Sequence, residues 1–312
     1  MDAIVIGIDV SKDRLDIATH PSRDTFVVAR NEEGLKDLIA RLAPLSPQAV
    51  AVEATGGYET VVAAILSAAG LPVLVVNPAQ VRAFARALGK RAKTDPIDAA
   101  VIAHFAAATK PDIRPLPDET TRLFAELLSR RAQIVQMIGA ERQRQKRLTG
   151  RRQQNSIARL LLALQKELSS LEGDIDEAVR GSPAWREKED LLASVPGIGP
   201  VIARTLIAEM PELGLLDRRQ IAALAGLAPW TRQSGQWKGK SRIGGGRAVV
   251  RTALYMGALV AGRHNPVLKA FRDKLVAAGK PHKLAAIAVA RKLLTILNAI
   301  IRDRTPWNPQ IA

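Results

Sequence analysis

Apolar residues fall into short continuous runs and longer periodic ones along the first part of the chain, and the two kinds alternate. Residues 3–9 (Ala-Ile-Val-Ile-Gly-Ile-Asp) are nearly all apolar and end on an acid, as a central strand buried on both faces does. Residues 10–13 make a turn. Residues 15–19 and 25–29 are two further strands, joined through Pro21-Ser-Arg-Asp24. Helical spacing follows over 32–42. Residues 48–54 form a strand carrying Glu53 near its end, 59–69 a helix, 72–76 a buried strand and 79–88 a helix. Thr94 and Asp95 start another helix with Pro96 in its first turn, and residues 97–108 continue it without Gly or Pro. Three consecutive strands with short links predict an antiparallel meander, to which the two strand–helix units add parallel strands. The expected fold is an α/β domain over residues 1–112, with a mixed five-stranded sheet and helices.

From 119 to 179 the pattern is that of long helices. Leu161, Leu168 and Ile175, with Leu164, Leu171 and Ala178, form an a/d heptad seam, which can pack within the chain or against a second copy. Residues 113–186 therefore read as a helical coiled-coil linker, and 187–312 as a mostly α C-terminal domain. Within that domain, 191–206 has the form of a helix-hairpin-helix, with Gly197 and Gly199 permitting the tight turn. A short helix covers 217–227, and closing helices cover 247–261, 266–277 and 284–302. The apolar stretch 284–301 contains Arg291 and Lys292, so it reads as a core helix and not a membrane span. The Pro-rich tail 305–312 is expected to be loosely held.

At 47% hydrophobic and 24% charged residues, the composition is that of a soluble globular protein. The absence of cysteine removes disulfides and thiolate metal sites and fits a reducing cytoplasm. The N-terminus lacks a signal peptide's basic region. Charge changes the picture more. Residues 1–110 carry 12 basic and 12 acidic side chains, so the whole net charge of +16 belongs to the remainder, and no acid occurs between Arg218 and Arg272. A neutral first part joined to a basic second part suggests chemistry in one and polyanion binding in the other.

Asp95 and Asp98, three residues apart, share a helix face. Alone, the pair reads as a cap and dipole partner. Asp9 alone reads as a turn acid at a strand end, and Glu53 alone as a partly exposed acid. Together they stand at the ends of two strands expected to be central and adjacent, and at the start of a helix able to cross the same edge. That placement points to a metal site. With only four His in the chain, oxygen ligands point to Mg2+ or Mn2+. Two such ions about 4 Å apart would clamp a scissile phosphate.

Phosphate contacts are expected elsewhere. Arg142, Arg144, Lys146, Arg147, Arg151 and Arg152 crowd the link between the long helices. A helix start after Gly197 and Gly199 can receive a DNA phosphate. The Gly-rich stretch 229–246 carries Arg232, Lys238, Lys240 and Arg242 as a phosphate cradle, with Trp230 and Trp237 able to pack on a sugar or base. Such binding should weaken steeply with salt. Ser234, followed by Gly, reads on sequence alone as a turn residue.

Gly7-Ile-Asp-Val-Ser-Lys12, Val52-Glu-Ala-Thr-Gly-Gly-Tyr-Glu59 and Lys93-Thr-Asp-Pro-Ile-Asp-Ala99 resemble the motifs of the DEDD transposases, recombinases of insertion sequences guided by a bridge RNA. The order of elements resembles the RNase H-like domain of Holliday-junction resolvases. The resemblance runs over nearly the full length. It implies an RNase H-like catalytic domain bearing Asp9, Glu53, Asp95 and Asp98. It further implies a linker that dimerises the protein and touches RNA, a C-terminal transposase domain, and assembly up to a tetramer on DNA. Pro229, Ser234, Gly235 and Ile243 line up with that domain's Pro-x4-Ser-Gly signature, whose Ser attacks DNA. Ser234 is thus implied as the nucleophile, giving a phosphoserine and a free 3′-OH without a nucleotide cofactor, and Ser241 is the nearby competitor. Gly244-Gly-Gly-Arg247 departs from the Lys/Arg-x-Gly-Asn-type run typical there. Partners implied are donor and target DNA, a structured guide RNA and further copies of the chain, with no membrane, in the cytoplasm at the nucleoid. Two other readings remain open: a metal-dependent, structure-specific endonuclease using water, and a non-catalytic RNA- or DNA-binding protein.

Overall fold

The computed structural model describes residues 3–90, 95–113, 118–231, 233–235, 237–239 and 241–309; the side chains of Asp95, Pro96, Trp237 and Lys238 also fall outside the described part. The chain divides into two compact units, Met1–Leu116 and Pro117–Ala312.

The first unit runs β1 (Val5–Val10), β2 (Arg14–His20), β3 (Thr25–Ala29), α1 (Glu32–Leu42), β4 (Ala49–Glu53), α2 (Tyr58–Ala68), β5 (Val73–Val76), α3 (Pro78–Ala87) and α4 (Asp95–Thr109). The strands form one sheet in the order β3-β2-β1-β4-β5. The first three pair antiparallel, and β4 and β5 add in parallel on the other side of β1. The expected mixed sheet is present, each strand within about two residues of its apolar run.

Side-chain alternation sorts the two faces. Ile6, Ile8 and Val10 of β1 join Leu15 and Ile17 against α1 and α2. Val5 of β1 joins Ala49 and Ala51 of β4 against α3 and α4. Small residues on that second face let α4 approach closely. A Cβ on Gly7 would lie 2.3 Å from the Ala99 carbonyl oxygen and 2.4 Å from the Ala103 nitrogen. The direction of α4 follows from its other end. His104 stacks on His20 with ring centroids 5.1 Å apart, and His20 is paired with Val5 at the start of β1. So α4 runs antiparallel to β1, and its first turn reaches the carboxyl end of that strand. Burial, then the charges of His20, Lys90 and Arg23, hold the His104 pKa below its ordinary value, which favours the neutral form of that imidazole.

Because both close neighbours of Gly7 are backbone atoms, α4 must move if a methyl group is added there. Gly7→Ala is expected to destabilise the first unit by about 3 kcal/mol or more. Urea unfolding followed by circular dichroism would show this, and an unchanged midpoint would contradict it.

The second unit begins with α5 (Glu119–Gln145) and α6 (Arg151–Gly181), an antiparallel pair closed by a short link. Ile134 and Ile138 pack against Leu161, Leu164 and Leu171, and Arg131 meets Glu172 at 2.7 Å. The heptad seam is therefore covered, in part, from within its own chain. Next come α7 (Pro183–Ala193), α8 (Pro200–Glu209) and α9 (Arg218–Leu224), then the strands β6 (Pro229–Trp230), β7 (Gln233–Ser234), β8 (Trp237–Lys238) and β9 (Arg242–Ile243). The unit closes with α10 (Ala248–His264), α11 (Pro266–Ala277) and α12 (His282–Asp303). By length and composition α12 could cross a membrane, but Val289, Leu293, Leu297 and Ile300 are buried in this unit's main core, as expected for 284–301. The tail departs from expectation. The Trp307 amide donates to Ser194 Oγ at 2.9 Å and its ring packs against the same core, which anchors the tail near its middle.

Candidate active site and nucleic-acid interface

The register of β1 on β4 pairs Gly7 with Ala51 and Ile8 with Val52. Asp9 and Glu53 are the next residues of each strand, at the carboxyl ends of neighbouring parallel strands. By alternation both belong to the face that α4 covers, Asp9 with Val5 and Gly7, Glu53 with Ala49 and Ala51. Both are partly buried, as is Asp98 in the first turn of α4. Asp95 opens α4, its side chain lying outside the described residues. The sheet and the polarity of α4 thus bring Asp9, Glu53 and Asp98 to one edge. Each already has an interaction within the protein, and among the described residues no three His, Cys, Asp or Glu side chains close into a ready metal cage.

A fourth acid on this face was not anticipated. Asp16 is the cross-strand partner of Asp9, so it faces the same side. It is 3% exposed and takes a 3.0 Å ion pair from Arg14 Nε. The signal was available in principle: an acid in the middle of an otherwise apolar strand is rarely buried unless paired.

The second unit presents the expected cations unevenly. Arg142, Arg144, Lys146, Arg147, Arg151 and Arg152 are all exposed around the turn from α5 to α6, with Arg144 meeting Glu141. Between α7 and α8, Gly197 has φ +107°, and a Cβ there would strike the Ala261 backbone nitrogen at 2.6 Å. Gly199, however, takes φ −101° as the N-cap of α8, a conformation open to other residues. The hairpin needs only one of the two glycines. Arg204, on α8, is consumed internally, 2.7 Å from both Asp176 and Glu189.

The described residues of 229–246 include four two-residue strands. β6 pairs with β9 and β7 with β8, one short ribbon nested within another. Ser234 is exposed and pairs with Trp237 across the inner ribbon, next to the turn at Gly235, where φ is +56°. Ser241 lies just before β9 of the outer ribbon, its hydroxyl 3.1 Å from that of Thr231. Trp230 is 62% exposed, and Arg242 is exposed on β9. Arg232 and Lys240 lie outside the described residues, as does the side chain of Lys238.

Gly244-Gly-Gly-Arg247 finds its reason in packing. The Arg247 amide donates to Leu224 O at 2.8 Å, while Gly245 and Gly246 adopt φ of +66° and +58°. The Arg247 guanidinium grips Glu212 through both ends, at 2.5 and 2.7 Å, and donates to Glu209 O. This arginine fastens the ribbon's exit to the helical core. Arg247→Ala leaves the partly buried Glu212 without this guanidinium and is expected to cost about 2–3 kcal/mol, read as a lowered denaturation midpoint. Retention of wild-type stability would argue against the clamp.

A family model described as a transposase, the DEDD type of IS110, matches residues 6–150, and a second, described as a transposase of the IS116/IS110/IS902 family, matches residues 189–273. The chain is 31% identical over 323 residues to the pilin gene-inverting protein of Moraxella bovis, covering 100% of this chain and 99% of that one. The chain belongs to the IS110/IS116/IS902 family of transposases. A shorter match, 31% identical over 165 residues, joins 50% of this transposase to 41% of the IS900 uncharacterized 42 kDa protein of Mycobacterium paratuberculosis. Membership makes the chain a DNA transposase or recombinase, which removes the non-catalytic reading. The first model spans the carboxylate edge and the basic helix turn, and the second spans α8 and the ribbon.

Proposed function

We propose that this transposase cuts and rejoins DNA at a divalent-metal site on the carboxylate edge of the first unit, with Ser234 as nucleophile. The observation that carries the reading is the convergence of Asp9, Glu53 and the first turn of α4 on one edge of an RNase H-like sheet order. The donor chemistry fits: carboxylate oxygens, with no thiolate in the chain, suit Mg2+ or Mn2+. Asp9, Glu53, Asp95 and Asp98 would hold the metal, which when bound supplies Lewis-acid activation of a phosphate. Ser234 Oγ attacks phosphorus, the bond to the 3′ oxygen breaks, and that oxygen leaves as a hydroxyl; the phosphoserine is later attacked by a 3′-OH on the new strand. Bond energy is retained, so no nucleotide cofactor is required. Arg232, Lys238 and Lys240 neutralise charge on the phosphate in the transition state.

The three-part division at 112 and 186 follows from the same reading. The exposed basic turn between α5 and α6 holds a structured guide RNA, and the chain works as a dimer or tetramer at the nucleoid, where the RNA supplies sequence choice. The hairpin after Gly197 and the ribbon hold DNA backbone. The reading is tested by incubating full-length protein and guide RNA with DNA bearing the element's ends, then denaturing. A detergent-stable protein–DNA adduct whose peptide carries the nucleotide on Ser234 is expected. Strand cutting with a freely migrating 5′-phosphate and no adduct at any time would favour water as nucleophile instead.

A further inference from the structure

We propose that Tyr58, backed by Arg30, is a stacking platform for one unpaired base of the DNA strand held at the carboxylate edge; the proposal rests on the reading of that edge as the cutting site. Tyr58 opens α2 and is 44% exposed. The Arg30 guanidinium lies over its ring, 4.8 Å from the centroid, so the cation takes one ring face and a base would stack on the other.

Arg30 is held in place. Its Nε donates to Lys12 O at 2.7 Å and its amide to Asp13 O at 2.9 Å, which ties it to the loop leaving β1 just after Asp9. Tyr58 is fixed from the loop leaving β4 after Glu53. There Glu59 accepts hydrogen bonds from the amides of Thr55 and Gly57, at 3.0 and 2.8 Å, and from the Thr55 hydroxyl at 3.3 Å. The two loops that leave the acid-bearing strands therefore meet in one aromatic–guanidinium stack.

The space beside it is bare. Gly56 and Gly57 have φ of +75° and +118°, and a Cβ on either would meet nothing within 4 Å. A sugar–phosphate backbone can approach such a loop without side-chain obstruction. An aromatic ring with a cation behind it accepts any base face, and the stack needs no sequence code. A phosphate at the carboxylates and a base on Tyr58 would hold the same strand at two points, fixing it for attack.

The test uses full-length protein and DNA oligonucleotides carrying 5-iodouracil at unpaired positions, irradiated and mapped by mass spectrometry. A crosslink on Tyr58 is expected, retained in Tyr58→Phe and lost in Tyr58→Leu. Affinity for the unpaired strand should fall by about 5-fold or more in Tyr58→Leu. Arg30→Lys, which keeps the charge but removes the planar backing, should reduce the crosslink. Crosslinks elsewhere with unchanged Tyr58→Leu affinity, or a Tyr58 crosslink to iodouracil-labelled RNA alone, would overturn the platform. Asp9→Asn separates the two readings. Loss of cutting with the Tyr58 crosslink intact supports both, whereas unimpaired cutting removes the metal edge and leaves the platform to the crosslink.

Discussion

Asp9→Asn is expected to lower Mg2+-supported strand cutting by at least about 100- to 1000-fold while leaving the protein folded. The substitution keeps the size of the side chain and removes its charge. Asp9 lies just past the last residue of β1 that pairs with β4, and its side chain faces away from the apolar face of Ile6 and Ile8, so an isosteric loss of charge leaves that packing intact. Its loss should therefore be felt in metal affinity and rate. Glu53→Gln should behave alike, since Glu53 occupies the corresponding place on β4. Cutting rates measured across a Mg2+ titration would separate a weakened site from a lost one. Rates within a few-fold of wild type at every concentration would remove both acids from the chemistry.

The second large effect is at Ser234. Ser234→Ala should abolish the covalent adduct and reduce strand transfer on the order of 10000-fold or more, as removal of a catalytic nucleophile does. Ser234 is exposed on a short ribbon, and an exposed surface substitution costs within about 0.5 kcal/mol of stability, so the loss would report chemistry and not unfolding. Ser241→Ala supplies the comparison. Its hydroxyl is already engaged with Thr231 beside the outer ribbon, and adduct formation should survive its removal. The reverse pattern, with adduct lost in Ser241→Ala and kept in Ser234→Ala, would move the nucleophile to the other strand pair.

The sheet was legible because its strands are short apolar runs separated by turn residues, and consecutive strands with short links have few ways to pair. Residues 3–9 and 48–54 even carried their acids to the correct ends. The course of α4 was not legible. It depends on Gly7 meeting Ala99 and Ala103 and on His104 meeting His20, contacts between residues far apart in the chain. Asp16 is different: its partner Arg14 is two residues away on the same strand, and an acid within an apolar strand was itself a legible signal.

In the basic half, charge density announced a polyanion surface without telling which cations face outward. Arg204 and Arg247 are spent on Glu189, Asp176 and Glu212 inside the unit, whereas Arg142 to Arg152 cluster outside. The strands of the Gly-rich stretch were not legible because two-residue strands are too short for any period to appear. Trp307 anchored a tail that its prolines made look loose, since the hydroxyl that receives its amide belongs to Ser194.

Crystals of the full-length protein with Mn2+ and a DNA strand, measured at the manganese absorption edge, test the metal reading most directly. An anomalous peak bounded by Asp9, Glu53 and the first-turn carboxylates of α4, Asp95 and Asp98, is the expected result. Manganese bound away from that edge, in crystals whose protein still cuts DNA, would contradict it.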